Sequence, residues 1–233
     1  MTGDHFAPSA ENDNSTGTVQ NEREMGSTHK STIYELFVLG ELMDGPHHGY
    51  SLREILSRML GPFRHISWGV LYPLIRQLQH DGLIEADEEV GVERSAGTAG
   101  SKQRKSYRIT GIGRERFYDL MLERGDYNSD YPEYFTIKLN NFDHISPEEQ
   151  LTILWHYHRY LEILHFYIQG GQQFITNASP LEVPEDQRSH ILRTISYRAS
   201  GVQAELAWID HEIARVEQEQ ERATWSAGDS QDS

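Results

Sequence analysis

The sequence predicts a mainly α-helical chain in two unlike parts: a compact unit of three short helices closed by a two-stranded hairpin, then a pair of long helices with a coiled-coil-like seam. Three observations carry this. Between residues 32 and 80, apolar side chains recur at three- and four-residue steps in three stretches punctuated by Gly and Pro. Two short extended runs then flank a Gly/Ser/Ala-rich stretch. From Leu192 onward the apolar residues Leu192, Ile195, Ala199, Val202, Leu206, Ile209, Ile213 and Val216 step alternately by three and four, a period of about 3.5 that suits knobs-into-holes packing.

Taken in order, residues 1–28 are polar and rich in Gly, Ser, Thr, Asn and Glu, so they read as a disordered tail. Thr32 to Met43 forms the first helix, broken by Asp44-Gly45-Pro46. A second helix opens at His48-Gly49-Tyr50-Ser51, carries Leu52, Ile55, Leu56, Met59 and Leu60, and stops at Gly61-Pro62. The third organises the rest. Ser67 is placed to cap it, and Val70, Leu71, Leu74, Ile75 and Leu78 form its apolar stripe. Asp81-Gly82 ends it, because glycine takes the left-handed cap at no steric cost and Leu83 can fold back on the last turn. Pro73 cannot donate and crowds the carbonyl of Gly69, so this helix is expected to start late or bend in its first turn. A strand follows at Leu83–Ala86, then the Gly91–Ser101 loop, a return strand at Lys105–Ile109, and a fourth helix from a Thr110 cap through Leu122.

The remaining chain has longer elements. Residues 127–145 read as a linker carrying Phe135, Ile137, Leu139 and Phe142. Ser146-Pro147-Glu148-Glu149 is a strong helix start: a capping serine, proline at the first position and acids at the positive end. The helix is expected to reach Ile168, roughly 33 Å at the usual rise, with Gly170-Gly171 weakening its end. The Leu192–Val216 seam needs a partner. An intrachain hairpin is one solution, and the length of both helices predicts that they also build a dimer interface through Leu192, Ile195, Val202, Leu206, Ile209 and Ile213. The expected divisions are therefore 1–28, 29–126, 127–145, 146–220 and a second tail at 221–233.

Composition narrows the functional classes. The 233 residues include no cysteine, so disulfides and thiolate metal sites are excluded. No apolar run reaches membrane-spanning length and residues 1–28 lack the apolar centre of a signal peptide, which makes a soluble cytoplasmic protein the default expectation. The net charge is −15, but it is unevenly spread. Residues 30–116 carry twelve basic and eleven acidic groups; the remainder carries nine and twenty-five. Within 102–116 there are six basic residues and one acid, a local field compatible with nucleic acid on an otherwise acidic protein.

On the third helix, Trp68, Gly69, Tyr72, Arg76, Gln77 and Gln79 lie off the apolar stripe. Such a face can contact base edges and phosphates, and the plainer alternative is a solvated helix surface. Three helices followed by a hairpin is the winged helix-turn-helix order, in which the third helix enters the major groove and the hairpin lies along the backbone. Lys102, Arg104 and Lys105 would then reach phosphate, where otherwise they are an ordinary charged loop. His156, His158 and His165 lie on one long helix, but without cysteine or converging carboxylates they are expected in an aromatic cluster with Trp155, Tyr157, Tyr160, Phe166 and Tyr167 rather than on a metal. No nucleophile elbow, phosphate loop or HExxH motif is present, so no enzyme and no cofactor is expected.

The stretches LGELMDGPHHGYSLREIL, WGVLYPLIRQLQHDGLI and KSYRITGIGRERF together resemble the PadR family of bacterial transcriptional regulators over about residues 32–124. A looser likeness to the C-terminal dimerisation domain of its longer subfamily runs through Glu133-Tyr134-Phe135, Lys138-Leu139, Ser146-Pro147-Glu148 and Trp208-Ile209. The hairpin tip is longer and richer in Gly, Ser and Ala than that family's. The resemblance implies a homodimeric repressor on an inverted-repeat operator in double-stranded DNA, released by a small aromatic acid such as a phenolic acid, with no membrane partner. Its DNA contacts would be Tyr50, Ser67, Trp68, Gly69, Tyr72, Arg76, Lys102, Arg104, Lys105 and Tyr107, and its effector contacts Trp155, His190 and Arg193. The competing readings are a winged-helix module that binds protein through its acidic half, and a drug-sensing regulator of an efflux pump.

Overall fold

A computed structural model of the chain describes residues 32–61, 67–87 and 105–229, with side chains as far as 222. The N-terminal tail, the Gly91–Ser101 loop with Lys102 and Arg104, and the last four residues lie outside the described residues. Helix α1 spans residues 32–41. It is followed by strand β1 (His47–His48), α2 (Gly49–Met59), α3 (Trp68–His80), β2 (Ile84–Asp87), β3 (Ser106–Ile109) and α4 (Gly111–Leu122). This is a winged helix-turn-helix arrangement. The sheet order is β1-β3-β2, all antiparallel, with Ile84 opposite Ile109 and His47 opposite Tyr107. The two-residue β1 is too short to leave a periodic signal, and sequence reading missed it.

Local chemistry fixes the joints. Gly82 takes φ 74° after α3, and Leu83 N–H donates back to Leu78 C=O at 2.9 Å, closing the helix as its sequence implied. Thr110 accepts from Gly113 N–H at 3.1 Å to cap α4, and its hydroxyl donates to Gly82 C=O at 2.7 Å. A Cβ on Gly113 would lie 2.0 Å from the Leu83 carbonyl oxygen, so only glycine lets α4 start this close to the end of α3. Ser67 occupies the N-cap of α3 without a side-chain cap hydrogen bond, and α3 starts at Trp68, not late as Pro73 suggested.

The second half begins with α5 (Tyr131–Leu139) and a short 3-10 turn at Phe142–His144, then α6 (Pro147–Asn177) and α7 (Glu185–Asp229). The expected linker is thus largely a buried helix: Tyr131, Tyr134, Phe135 and Ile137 all face the core. Helix α1 joins the two halves, with Leu36, Phe37, Val38 and Leu39 buried on every side. Gly40 makes room for Asn141, since a Cβ there would meet the Asn141 side chain at 2.3 Å.

Helix α6 starts with the anticipated capping box: Glu149 N–H donates to the Ser146 hydroxyl at 3.3 Å and Ser146 N–H to the Glu149 carboxylate at 2.8 Å. It does not stop near Ile168. Packing against α7 outweighs the roughly 1 kcal/mol that each glycine costs, and the helix continues through Gly170-Gly171 to Asn177. Arg188 closes the turn, donating to the carbonyls of Ile175, Thr176 and Ala178 at the negative end of α6. The two helices run antiparallel: Arg188, near the start of α7, meets the end of α6, while Tyr157, earlier on α6, meets Glu205 further along α7 at 2.6 Å. Helix α7 extends to Asp229, past the Gln220 boundary that the sequence suggested.

Candidate nucleic-acid interface

The face is built where the start of α2 crosses α3. An added Cβ on Gly49 would sit 3.6 Å from Ile75 and 3.9 Å from the Tyr107 ring, so a small residue there lets α2 lie directly over both. Leu71, Ile75 and Leu78 anchor α3 in the core. Its other side is open: Trp68, Gly69, Val70, Tyr72, Arg76, Gln77 and Gln79 are exposed, as is Tyr50 on α2. Val70 is a correction to its expected place on the apolar stripe: it is 48% exposed and adds an aliphatic surface suited to thymine methyls.

The cations on this face are held against aromatic rings. The Arg53 guanidinium lies 5.1 Å from the Trp68 ring centroid, and Trp68 in turn lies 6.4 Å from the Tyr50 ring at a tilt of 32°. The Arg76 guanidinium lies 5.2 Å from the Tyr72 ring. Arg53 escaped sequence reading because it faces outward from a helix judged structural; its only signal was a basic residue one turn after Tyr50.

Tyr107 is placed differently from expectation. It is 8% exposed, packed behind α3, and cannot reach far into a groove. Burial raises the pKa of its hydroxyl, Tyr72 adds to the rise and Arg76 opposes it, so the three side chains share one electrostatic neighbourhood. Tyr107 supports the face from beneath. Lys105 is exposed at the start of β3. The basic run 102–116 is partly spent within the fold: Arg108 pairs with Glu85 at 2.9 Å and Arg116 with Glu35 at 2.9 Å.

The other candidates fall on α6 and α7. Trp155, His190 and Arg193 do not converge. In the antiparallel hairpin, Arg188 binds carbonyls at 175–178, so His190 lies near that end, about twenty residues or roughly 30 Å along α6 from Trp155. His156 meets the Tyr131 hydroxyl inside a cluster with Tyr127 and Tyr160, and burial lowers its pKa. Three of the six residues expected at a dimer seam lie within the protomer, while Leu192, Ile195 and Leu206 are half-buried. Val202, Ile209, Ile213 and Val216 are buried within the protomer, because α6 supplies the partner their spacing required. The most exposed large apolar residues of this half are instead Phe166, Tyr167, Phe174, Tyr197 and Leu181.

Among the described residues, one trio could supply three metal ligands: Asp44, Asp143 and His144, whose ligand atoms lie within 4.8 Å of one another. His144 already bonds Asp44 at 3.2 Å and packs edge-on against Phe117 at 5.8 Å.

The model of the Transcriptional regulator PadR-like family matches residues 38–119, which contain α2, α3, both hairpin strands and most of α4. Over that segment the chain is similar to the PadR-like transcriptional regulators. That is a regulator family and not an enzymatic one. No curated protein matches significantly. Solved structures similar to this chain include Bacillus subtilis PadR in complex with operator DNA, 15% identical with a TM-score of 0.35, covering 79% of this chain and 99% of that one. The same protein in complex with p-coumaric acid is 16% identical with a TM-score of 0.34, covering 80% and 97%. The PadR-like transcriptional regulator BC1756 from Bacillus cereus is 20% identical with a TM-score of 0.30, covering 76% and 98%. No helix among the described residues is long and apolar enough to cross a membrane.

Proposed function

We propose that the protein is a homodimeric repressor that binds an inverted-repeat operator and is released by a small aromatic acid. The observation that carries the DNA reading is the exposed face of Tyr50, Trp68, Val70 and Tyr72, with two guanidiniums stacked on it, on a winged helix matched to a family of transcriptional regulators. Here α3 enters the major groove, α2 crosses the backbone, and Lys105 with its hairpin neighbours follows the phosphates. Residues 29–126 form the reading unit and 146–220 the helical unit that pairs two protomers.

Pairing uses the exposed flank of the hairpin, not its seam. An open groove of about 720 Å³, lined by Ile163, Phe166, Tyr167, Gly170, Gly171 and Phe174 among others, is the apolar surface a second copy would cover. A neighbouring groove of about 670 Å³ joins apolar Ile163, Phe166 and Leu206 to His158, Arg159, His165 and Gln169, with the carboxylates of Glu162 and Asp210 also on its wall and Asp210 already held by His158 at 3.2 Å. Apolar walls with a few polar groups suit an aromatic acid. Among the described residues Arg159 pairs with exposed Glu162 alone, at 3.3 Å, a pair worth little in water, so a carboxylate could displace it. B. subtilis PadR with p-coumaric acid is the precedent for this ligand class.

The test selects bound sequences from random duplexes and follows the winner by mobility shift. An inverted repeat with half-sites about 34–36 Å apart, or a multiple, is expected. The logarithm of affinity should fall with that of salt at about −0.9 per phosphate contacted. A slope near one contact, or no preferred duplex, removes the DNA reading. Saturating phenolic acids should release the complex; no change in mobility removes the effector alone.

A further inference from the structure

Arg53, one of the two cations on α2, has no assigned role, and its geometry points to one. Arg53 projects from the second turn of α2 beside the first residue of α3. Among the described residues neither Arg53 nor Arg76 is paired with a carboxylate, although nearby Arg58 takes Glu54. What holds Arg53 is the indole of Trp68, 5.1 Å away, itself flanked by Tyr50.

A guanidinium lying on an aromatic ring keeps its edge donors free, in one plane and in a fixed direction, which is the arrangement a bidentate phosphate contact needs. In a helix-turn-helix domain the helix preceding the reader crosses the sugar–phosphate backbone. We propose that Arg53 is a phosphodiester contact whose direction is set by Trp68, so that Trp68 acts on DNA partly through Arg53 and α2 carries part of the affinity. Arg53 is the contacting group and Trp68 its positioning residue. Tyr50, 60% exposed with its ring centroid 6.4 Å from the indole, flanks the seat.

This rests on the DNA-binding reading, and the experiment separates the two. Full-length wild type, Arg53→Gln, Arg53→Lys, Trp68→Leu and Arg53→Gln/Trp68→Leu are titrated with the selected duplex across a range of salt, each first checked by circular dichroism for native helix content. If wild type itself shows no steep salt slope, the DNA reading fails and Arg53 is not at issue. Given that slope, Arg53→Gln should flatten it by about 0.9, one phosphate's worth. Arg53→Lys should restore the slope but bind several-fold more weakly, since an ammonium is a point charge and not a fork. Trp68→Leu should weaken binding by about tenfold with little change of slope. The double variant should bind within about threefold of Arg53→Gln. A wild-type slope in Arg53→Gln overturns the phosphate contact. Losses that multiply in the double variant overturn the positioning by Trp68.

Discussion

Two surfaces of this protein expose aromatic side chains, and they are chemically opposite. On α2 and α3, Tyr50, Trp68 and Tyr72 stand beside Arg53 and Arg76. On the α6–α7 hairpin, Phe166 and Tyr167 are more exposed still, at 78% and 72%, yet Arg198 is the one charged residue lining their groove. Exposure alone therefore identifies neither partner. Rings with cations stacked on them suit a polyanion, because each ring directs a donor toward phosphate or a base edge. Rings in an apolar groove, with Gly170-Gly171 allowing close backbone approach, suit another protein surface and most simply a second copy.

The sharpest way to break this contrast is to charge the second surface. Phe166→Glu with Phe174→Glu should weaken dimerisation by at least about 100-fold, because buried aromatic anchors dominate interface energies. Sedimentation at micromolar concentration should then report a single protomer. Operator affinity should fall in parallel, since the second reading head no longer binds at high effective concentration. A variant that keeps the wild-type mass would move the interface elsewhere. Tyr72→Ala makes the converse cut. It should reduce preference for operator over random DNA by about tenfold or more, the scale of one lost base-pair contact, while the dimer remains intact by light scattering. An unchanged footprint would remove Tyr72 from the reading face.

How far these surfaces could be read in the sequence depended on how local their determinants are. The α3 boundaries follow from Ser67, the Leu71–Ile75–Leu78 stripe and Gly82, all within sixteen residues, and they stand nearly as expected. The Ser146–Glu149 capping box is equally local and equally visible. Half of the expected dimer face lies inside the protomer, because periodicity reports only that a stripe is buried, not by which chain. Val202, Ile209 and Ile213 found their partner in α6, while Phe166 and Phe174, off that seam, were left outside. Residues 127–145 lack a long repeat because their helix is one of nine residues buried almost all round, so they read as a linker. The effector trio is spread out for a geometric reason: the hairpin sets Arg188 against residues 175–178, which puts His190 about twenty residues along α6 from Trp155. Arg53 needed the crossing of α2 over Trp68, which no spacing within α2 could show.

The joint between the two halves offers the mildest test, and one whose sign is fixed. Lys138 on α5 is 4% exposed; its ammonium donates to the Glu123 carbonyl at the end of α4 and lies 4.3 Å from the Tyr134 ring centroid. Burial lowers its pKa from 10.5 to about 8, with Glu123 opposing. Between those values the unfolded chain holds a proton that the folded chain has lost, so stability rises with pH across the window. Tyr131, Tyr134 and Tyr157 pull the other way: burial raises each above the ordinary value of 10, so above that pH the unfolded chain ionises first and stability falls. The stability curve should therefore peak near pH 10. One pKa unit corresponds to about 1.4 kcal/mol, and with water reaching part of the site the rise from pH 8 should be about 1 kcal/mol. Lys138→Met should remove that rise and keep the later decline, read as urea midpoints across the pH range. A rise that survives the substitution would have to come from another group, and the buried amine at this joint would then be indifferent to its surroundings.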